Sequence, residues 1–92
     1  MNDLKVKCFL AAAESLNFTK DAESMFVSQS VFSRQISAME NELEKKLFYR
    51  GNKSVLLTPV GEIIFAGLKD LSWRYKSMLE NADAVHKGFR AF

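Results

Sequence analysis

Apolar residues recur along most of this chain at helical spacing, and short turn-forming groups break the pattern. Over residues 3–16, Val6, Phe9, Ala13 and Leu16 follow one another at intervals of three and four, with Leu10 and Ala12 widening the stripe. This periodicity predicts an amphipathic first helix, with Asp3 placed to cap it. Asn17-Phe18 interrupts the pattern. Thr19 then reads as the N-cap of a short second helix over residues 20–26, in which Ala22, Met25 and Phe26 point inward. Val27-Ser28 is the next turn. Ser28 caps a third helix running to about Leu43, with Phe32, Ile36, Met39 and Leu43 as its buried stripe.

Beyond Leu43 the pattern shortens. Leu47–Arg50 and Lys53–Leu57 are short apolar or β-branched runs on either side of Gly51-Asn52, which predicts a β-hairpin. Thr58-Pro59 restarts a helix, with Thr as N-cap and Pro in the first helical position. Ile64, Leu68, Leu71, Tyr75, Met78, Ala82, Val85 and Phe89 then alternate at intervals of four and three, and no proline falls in residues 60–92. A helix of about thirty residues spans roughly 45 Å, more than a small domain can cover. A sustained seam on a projecting helix predicts a partner helix from a second copy of the chain. The alternative is a long helix folded back on its own core.

Composition narrows the function. Ninety-two residues, 48% hydrophobic and 26% charged, make one small globular domain with a thin core. Net charge is only +2, so nucleic-acid binding would depend on where the cations sit. Residues 28–58 carry 5 Lys/Arg against 3 Asp/Glu, and residues 1–27 carry 3 against 4, so the middle is the basic part. The lone cysteine, Cys8, cannot form an internal disulfide and reads as a small packing residue. His86 is the only histidine, too little for a metal cluster. Asp21, Glu23, Glu40, Glu42 and Glu44 read as helix-surface charges. No nucleophile with a base, no carboxylate pair in a pocket and no glycine-rich phosphate loop is in view, so neither an enzyme nor a cofactor is expected. The N-terminus lacks an apolar leader, and no apolar run of about 18 residues exists, so nothing is expected to span a membrane and the expected setting is the cytoplasm.

The third helix carries the chemistry that is left. At about 100° per residue its apolar stripe occupies roughly 60° of arc. Ser30, Ser33, Arg34, Ser37 and Asn41 fall on the opposite side, and Gln29 sits in the first turn. Small hydroxyls let a helix approach a duplex closely, Arg suits guanine edges or phosphates, and Gln suits adenine edges. The hairpin tip, Arg50-Gly51-Asn52-Lys53, sets two cations beside a turn, as a wing touching phosphates or the minor groove would. Lys45-Lys46 reads as a solvated helix end.

Together these residues resemble the N-terminal domain of the LysR-type transcriptional regulators. The resemblance runs from about Leu4 to the end of the chain. It is carried by Phe9, Ala13-Glu14, Asn17-Phe18-Thr19, Ala22, Val27-Ser28-Gln29, Ser33-Arg34-Gln35-Ile36, Glu40, Leu43, Leu47-Phe48, Arg50 and Leu57-Thr58-Pro59-Val60-Gly61. It implies a mainly α fold: a winged helix-turn-helix of three helices and a two-stranded wing over residues 1–58, then a long dimerisation or linker helix over 59–92. It implies double-stranded promoter DNA as ligand. Gln29, Ser30, Ser33 and Arg34 would face the major groove, with Ser37 on the same face. Arg50 and Lys53 would serve the wing, with the Lys53 position reaching the minor groove. Asn17 and Thr19, at the second helix N-terminus, are expected to hold phosphates. Ile64, Leu68, Leu71, Tyr75, Met78, Ala82 and Val85 would form the interface of a homodimer. A C-terminal domain that binds a small-molecule effector, and supports any higher oligomer, normally follows; the chain is therefore expected to be an isolated DNA-binding fragment. Three residues depart from the pattern: Ser30 where Pro is frequent, Asp21 for a usual Ala, and Glu44 for a usual Gly, which is expected to alter the end of the third helix. The rival reading is a small helical adaptor whose long helix binds a protein partner and whose third helix touches no DNA.

Overall fold

A computed structural model of the chain describes residues 3–51 and 54–89. The elements run α1 (Leu4–Ser15), α2 (Phe18–Ser24), α3 (Gln29–Leu43), β1 (Phe48–Arg50), β2 (Val55–Leu57) and α4 (Pro59–Phe89). The fold is a winged helix-turn-helix: three packed helices, a two-stranded antiparallel wing, and a long helix behind them. Phe48 pairs with Leu57, Tyr49 with Leu56 and Arg50 with Val55.

Local chemistry sets the boundaries. Asp3 accepts the Lys5 N–H at 2.8 Å and starts α1. Ser28 accepts the Val31 N–H at 3.1 Å and starts α3. The second helix begins earlier than the sequence suggested. Its cap is Asn17, extended at φ −141°, whose Oδ1 accepts the Lys20 N–H at 3.0 Å, and Thr19 lies inside the first turn. Asn is at least as good an N-cap as Thr. Phe26 also departs from expectation. It takes a left-handed φ of 57°, with its side chain 95% exposed. The chain reverses there so that the Val27 N–H can reach Ala22 O at 3.0 Å, and Met25 and Val27 pack on the core while the Phe26 ring is turned out.

The core is aromatic. Phe9 meets Phe48 at 5.6 Å and Phe65 at 6.4 Å between ring centroids, and Phe18 meets Phe32 and Phe48 at 5.4 Å each. Tilted and edge-on pairs of this kind add to plain apolar burial. Cys8, Ala12, Ile36 and Leu47 fill the gaps and are fully buried. Burial and the nearby Asp21 carboxylate raise the Cys8 thiol pKa, so it packs as a neutral thiol.

Two carboxylates expected on the surface are buried. Asp21 accepts from the Ser15 hydroxyl, and that same Oγ accepts the Asn17 N–H, which closes the α1–α2 corner. Glu40, only 4% exposed, turns back under the wing. Both sit on helix flanks beside the core rather than opposite it, where a carboxylate persists only when partnered.

Thr58 holds α4 to the rest. Its hydroxyl donates to Lys46 O at 2.7 Å and accepts the Gly61 N–H at 2.9 Å, while its own N–H reaches Leu47 O at 3.0 Å. Here α4 crosses the chain entering β1 so closely that a Cβ on Gly61 would lie 2.2 Å from Leu47 O. Val60, Ile64, Phe65 and Leu68 then pack on the core, and the remaining turns project, giving the molecule a long dimension of 61 Å against 28 and 21 Å.

Gly61→Ala is expected to destabilise the fold by at least about 2 kcal/mol, because the clash is with backbone on a fully packed crossing. A urea titration followed by circular dichroism reads this directly.

At the end of α3, Glu44 takes a left-handed φ of 56°, and its N–H bonds Asn41 O and Glu40 O. This is the conformation glycine adopts at least cost. Glu44→Gly should therefore raise stability by about 1 kcal/mol, seen as a higher urea midpoint at unchanged slope.

Candidate nucleic-acid interface

The geometry of α3 follows from which side its apolar stripe anchors. Phe32, Ile36 and Met39 are buried, and Leu43 is 37% exposed at the helix end. That fixes the opposite face outward. Ser30, Arg34 and Asn41 are exposed there, and Ser33 and Ser37 are half-buried beside them. Ser30 in the first turn leaves the helix start well formed without a proline, since Ser28 supplies the cap.

Gln29 belongs to a second group. A shallow depression in front of the α3 N-terminus is lined by Asn17, Phe18, Thr19, Gln29, Arg50, Gly51 and Ser54. The start of α2, the first turn of α3 and the wing thus meet at one surface. Thr19 and Gln29 are exposed. Asn17 uses its amide oxygen as a cap, which leaves the amide NH2 to donate outward.

Arg50, one of the two cations expected at the wing, is already engaged within the domain. Its Nη2 lies 3.2 Å from Glu40 Oε1, and its guanidinium sits 5.3 Å from the centre of the Phe18 ring. A planar guanidinium satisfies a carboxylate with one edge and an aromatic face with its plane, and the strand register points Arg50 back at both. Lys53 and Asn52 lie outside the described residues. Lys45 and Lys46 are exposed where α3 gives way to the wing.

Glu40 and Ser54 were missed as site residues at the sequence level, whereas Gly51 was read as part of the hairpin tip. For Glu40 the signal was positional: it falls on the arc between the apolar stripe and the polar face, ten residues before Arg50. Ser54 carried no signal beyond turn composition. The Gly51 N–H donates to Ser54 O at 2.8 Å and closes the hairpin.

The seam of α4 divides in two. Ile64 and Leu68 are half-buried against the chain's own core, so they are only partly available to a partner. Leu71, Tyr75, Met78 and Val85 are each about half exposed, at 54%, 47%, 55% and 58%, and Ala82 is exposed with them. Beside the near end runs an apolar groove lined by Val6, Met39, Leu43, Ile63, Gly67 and Leu68, with Ile63 72% exposed. At its rim Lys5 Nζ meets Glu42 Oε2 at 2.9 Å, and that contact raises the lysine pKa. Among the described residues no cluster of His, Cys, Asp or Glu could hold a metal ion, and no helix is long and apolar enough to cross a membrane.

Known proteins share this arrangement. Residues 4–62 match the family described as bacterial regulatory helix-turn-helix protein, lysR family. The glycine cleavage system transcriptional activator of Escherichia coli (strain K12) is 45% identical over 71 residues, which is 77% of this chain and 23% of that protein. The HTH-type transcriptional activator IlvY of Salmonella typhimurium is 37% identical over 78 residues, 85% of this chain and 26% of the relative. The chain thus spans about a quarter of the length of these relatives. The BenM_DBD/catB site 1 DNA complex contains a chain that superposes with a TM-score of 0.85 at 30% identity, covering 94% of both chains. The helix-turn-helix, the wing beside it and the long α4 thus align with transcriptional regulators over most of this chain, and the chain belongs to the lysR family of bacterial regulatory helix-turn-helix proteins.

Proposed function

We propose that this domain binds double-stranded promoter DNA as a homodimer, placing one α3 in each of two major-groove half-sites with a wing on each flanking minor groove. The observation that carries this reading is the outward face of α3. Its apolar stripe is locked into the core, which leaves Ser30 and Arg34 exposed and Ser33 and Ser37 beside them. Arg34 is the base-reading residue, and Ser30, Ser33 and Ser37 allow close approach. Gln29 reads the edge of the site nearest the wing. Asn17 and Thr19 face the backbone from the same depression, and Lys53 extends the wing contact toward the minor groove. The similarity to a chain solved as part of a DNA complex supports this placement.

The C-terminal part of the chain, with α4 as its described portion, serves as the linker helix, and the exposed seam from Leu71 to Val85 is the interface between two copies. A second copy is the partner that a long apolar seam on a projecting helix fits best. A small-molecule effector, and any assembly larger than the dimer, would act through the part of the relatives' length that this chain does not span. The setting is the cytoplasm, where a promoter-binding regulator meets its DNA.

Arg34→Ala should weaken binding to a specific site by about 1–3 kcal/mol if the guanidinium makes a bidentate base contact, with circular dichroism unchanged. Equal affinity of a folded variant in a gel shift removes Arg34 from the interface. An adaptor with no DNA role would show no salt-dependent shift even for the unmodified chain.

Leu71→Glu would bury an unpaired charge in the seam. The expected product is a monomer by sedimentation, still helical over residues 3–43, and much weaker on a palindromic site because half-site spacing depends on the dimer. A dimer that survives this substitution sinks the seam assignment.

A further inference from the structure

We propose that Glu40, a buried carboxylate, is a positioning residue for DNA binding: it fixes Arg50 so that the outer edge of the guanidinium faces the DNA backbone. This rests on the DNA-binding reading above.

Glu40 is 4% exposed and fully engaged. Its Oε2 accepts the Leu47 N–H at 2.8 Å and the Phe48 N–H at 3.3 Å, and its Oε1 takes Arg50 Nη2 at 3.2 Å. One carboxylate from the last turns of α3 thus ties both the entry of β1 and its last residue. Arg50 is in turn laid over the Phe18 ring at the start of α2. Its side chain remains 35% exposed, and its residue lines the same depression as Asn17, Thr19 and Gln29. The pair is therefore a dipole with its negative end buried and its positive end at the surface. A guanidinium has five N–H donors in a rigid fork, so one edge can bind a carboxylate while the other donates to a phosphate. A phosphate of the duplex is the ligand that fits a fixed cationic donor beside the polar groups of this depression.

The Coulomb expectation runs the other way, and that makes the proposal testable. Glu40→Gln removes a negative charge from a DNA-binding domain, so charge counting alone predicts tighter binding. The amide oxygen of Gln still accepts from the β1 backbone, but it no longer holds a guanidinium by charge. The positioning role predicts binding weakened by about tenfold, the loss of one charge-assisted hydrogen bond, and a salt slope reduced by about one.

The experiment measures fluorescence anisotropy of a labelled mixed-sequence duplex against salt, for the unmodified chain, Glu40→Gln, Arg50→Lys, and the double variant, with thermal melts of each. Weaker binding and a lower slope for Glu40→Gln, with little further loss in the double variant, is the expected result. Arg50→Lys keeps the charge but not the fork. It should fold and lose a similar part of the affinity, because an ammonium cannot hold the carboxylate with one edge and a phosphate with the other, and this carries the test even where Glu40→Gln melts too low to assay. Unchanged or tighter binding by folded Glu40→Gln, wild-type affinity for Arg50→Lys, or fully additive losses in the double variant would each overturn the proposal. No salt-dependent binding by the unmodified chain would instead overturn the DNA-binding reading itself.

Discussion

One ring from nearly every element meets in the centre of this domain, and the rest of the structure depends on that contact. Phe9 comes from α1, Phe18 from α2, Phe32 from α3, Phe48 from β1 and Phe65 from α4, linked pairwise at 5.4 to 6.4 Å between centroids. A chain of 92 residues has little apolar surface to bury, and five large rings concentrate that burial at one point. Truncating a buried Phe costs about 3–5 kcal/mol, a large share of the stability of a small domain. The cluster also has a geometric effect. It sets the roll of α3 about its own axis, and so it decides which residues face outward without touching any of them.

The polar interior works at the joints rather than in the centre. Asp21 with Ser15 closes the corner between α1 and α2, Glu40 closes the passage from α3 to the wing, and Thr58 closes the passage from the wing to α4. In each case a side chain partners groups that a turn would otherwise leave unpaired. Among the described residues no buried side-chain nitrogen or oxygen is left without a partner. The left-handed residues, Leu16, Phe26 and Glu44, sit at the ends of α1, α2 and α3. None is glycine, so each helix end is held at some cost by the packing on either side of it.

Much of this was legible in the sequence, for a reason particular to helices. The stripes of α1 and α3 and the Thr58-Pro59 start of α4 are local signals, and local chemistry decided them, except that Leu16, expected to end the α1 stripe, is the exposed left-handed residue just past the helix. What sequence could not show was decided by tertiary contact. Asp21 and Glu40 look like solvent charges until a corner and a wing close over them. Phe26 looks like core until the turn needs a left-handed residue. Thr19 and Asn17 are both competent caps, and the extended backbone at Asn17 settled which was used. In the candidate site the outward face of α3 followed from periodicity alone. The inward turn of Arg50 did not, because it needs a partner ten residues away across a strand.

The long helix would combine two roles in the proposed dimer, and sequence spacing alone does not separate them. A strict seven-residue repeat drifts about 20° per heptad around a straight α-helix. From Ile64 to Val85 the seam passes through three heptads, so it turns by about 60°. Its near end, at Ile64 and Leu68, is spent on the domain's own core. Its far end has rotated toward the side that carries Ile63 and Gly67, where the apolar groove with Val6, Met39 and Leu43 lies open. Apart from the backbone of its own helix, nothing would come within 4 Å of a Cβ placed at Gly67, so that flank has room for a second helix to approach closely. A continuous helix thus fixes, in one rigid piece, both the direction of the core and the direction from which a second copy would arrive. In the proposed dimer, the separation of the two α3 faces would then be set by how α4 packs on the core that holds α3.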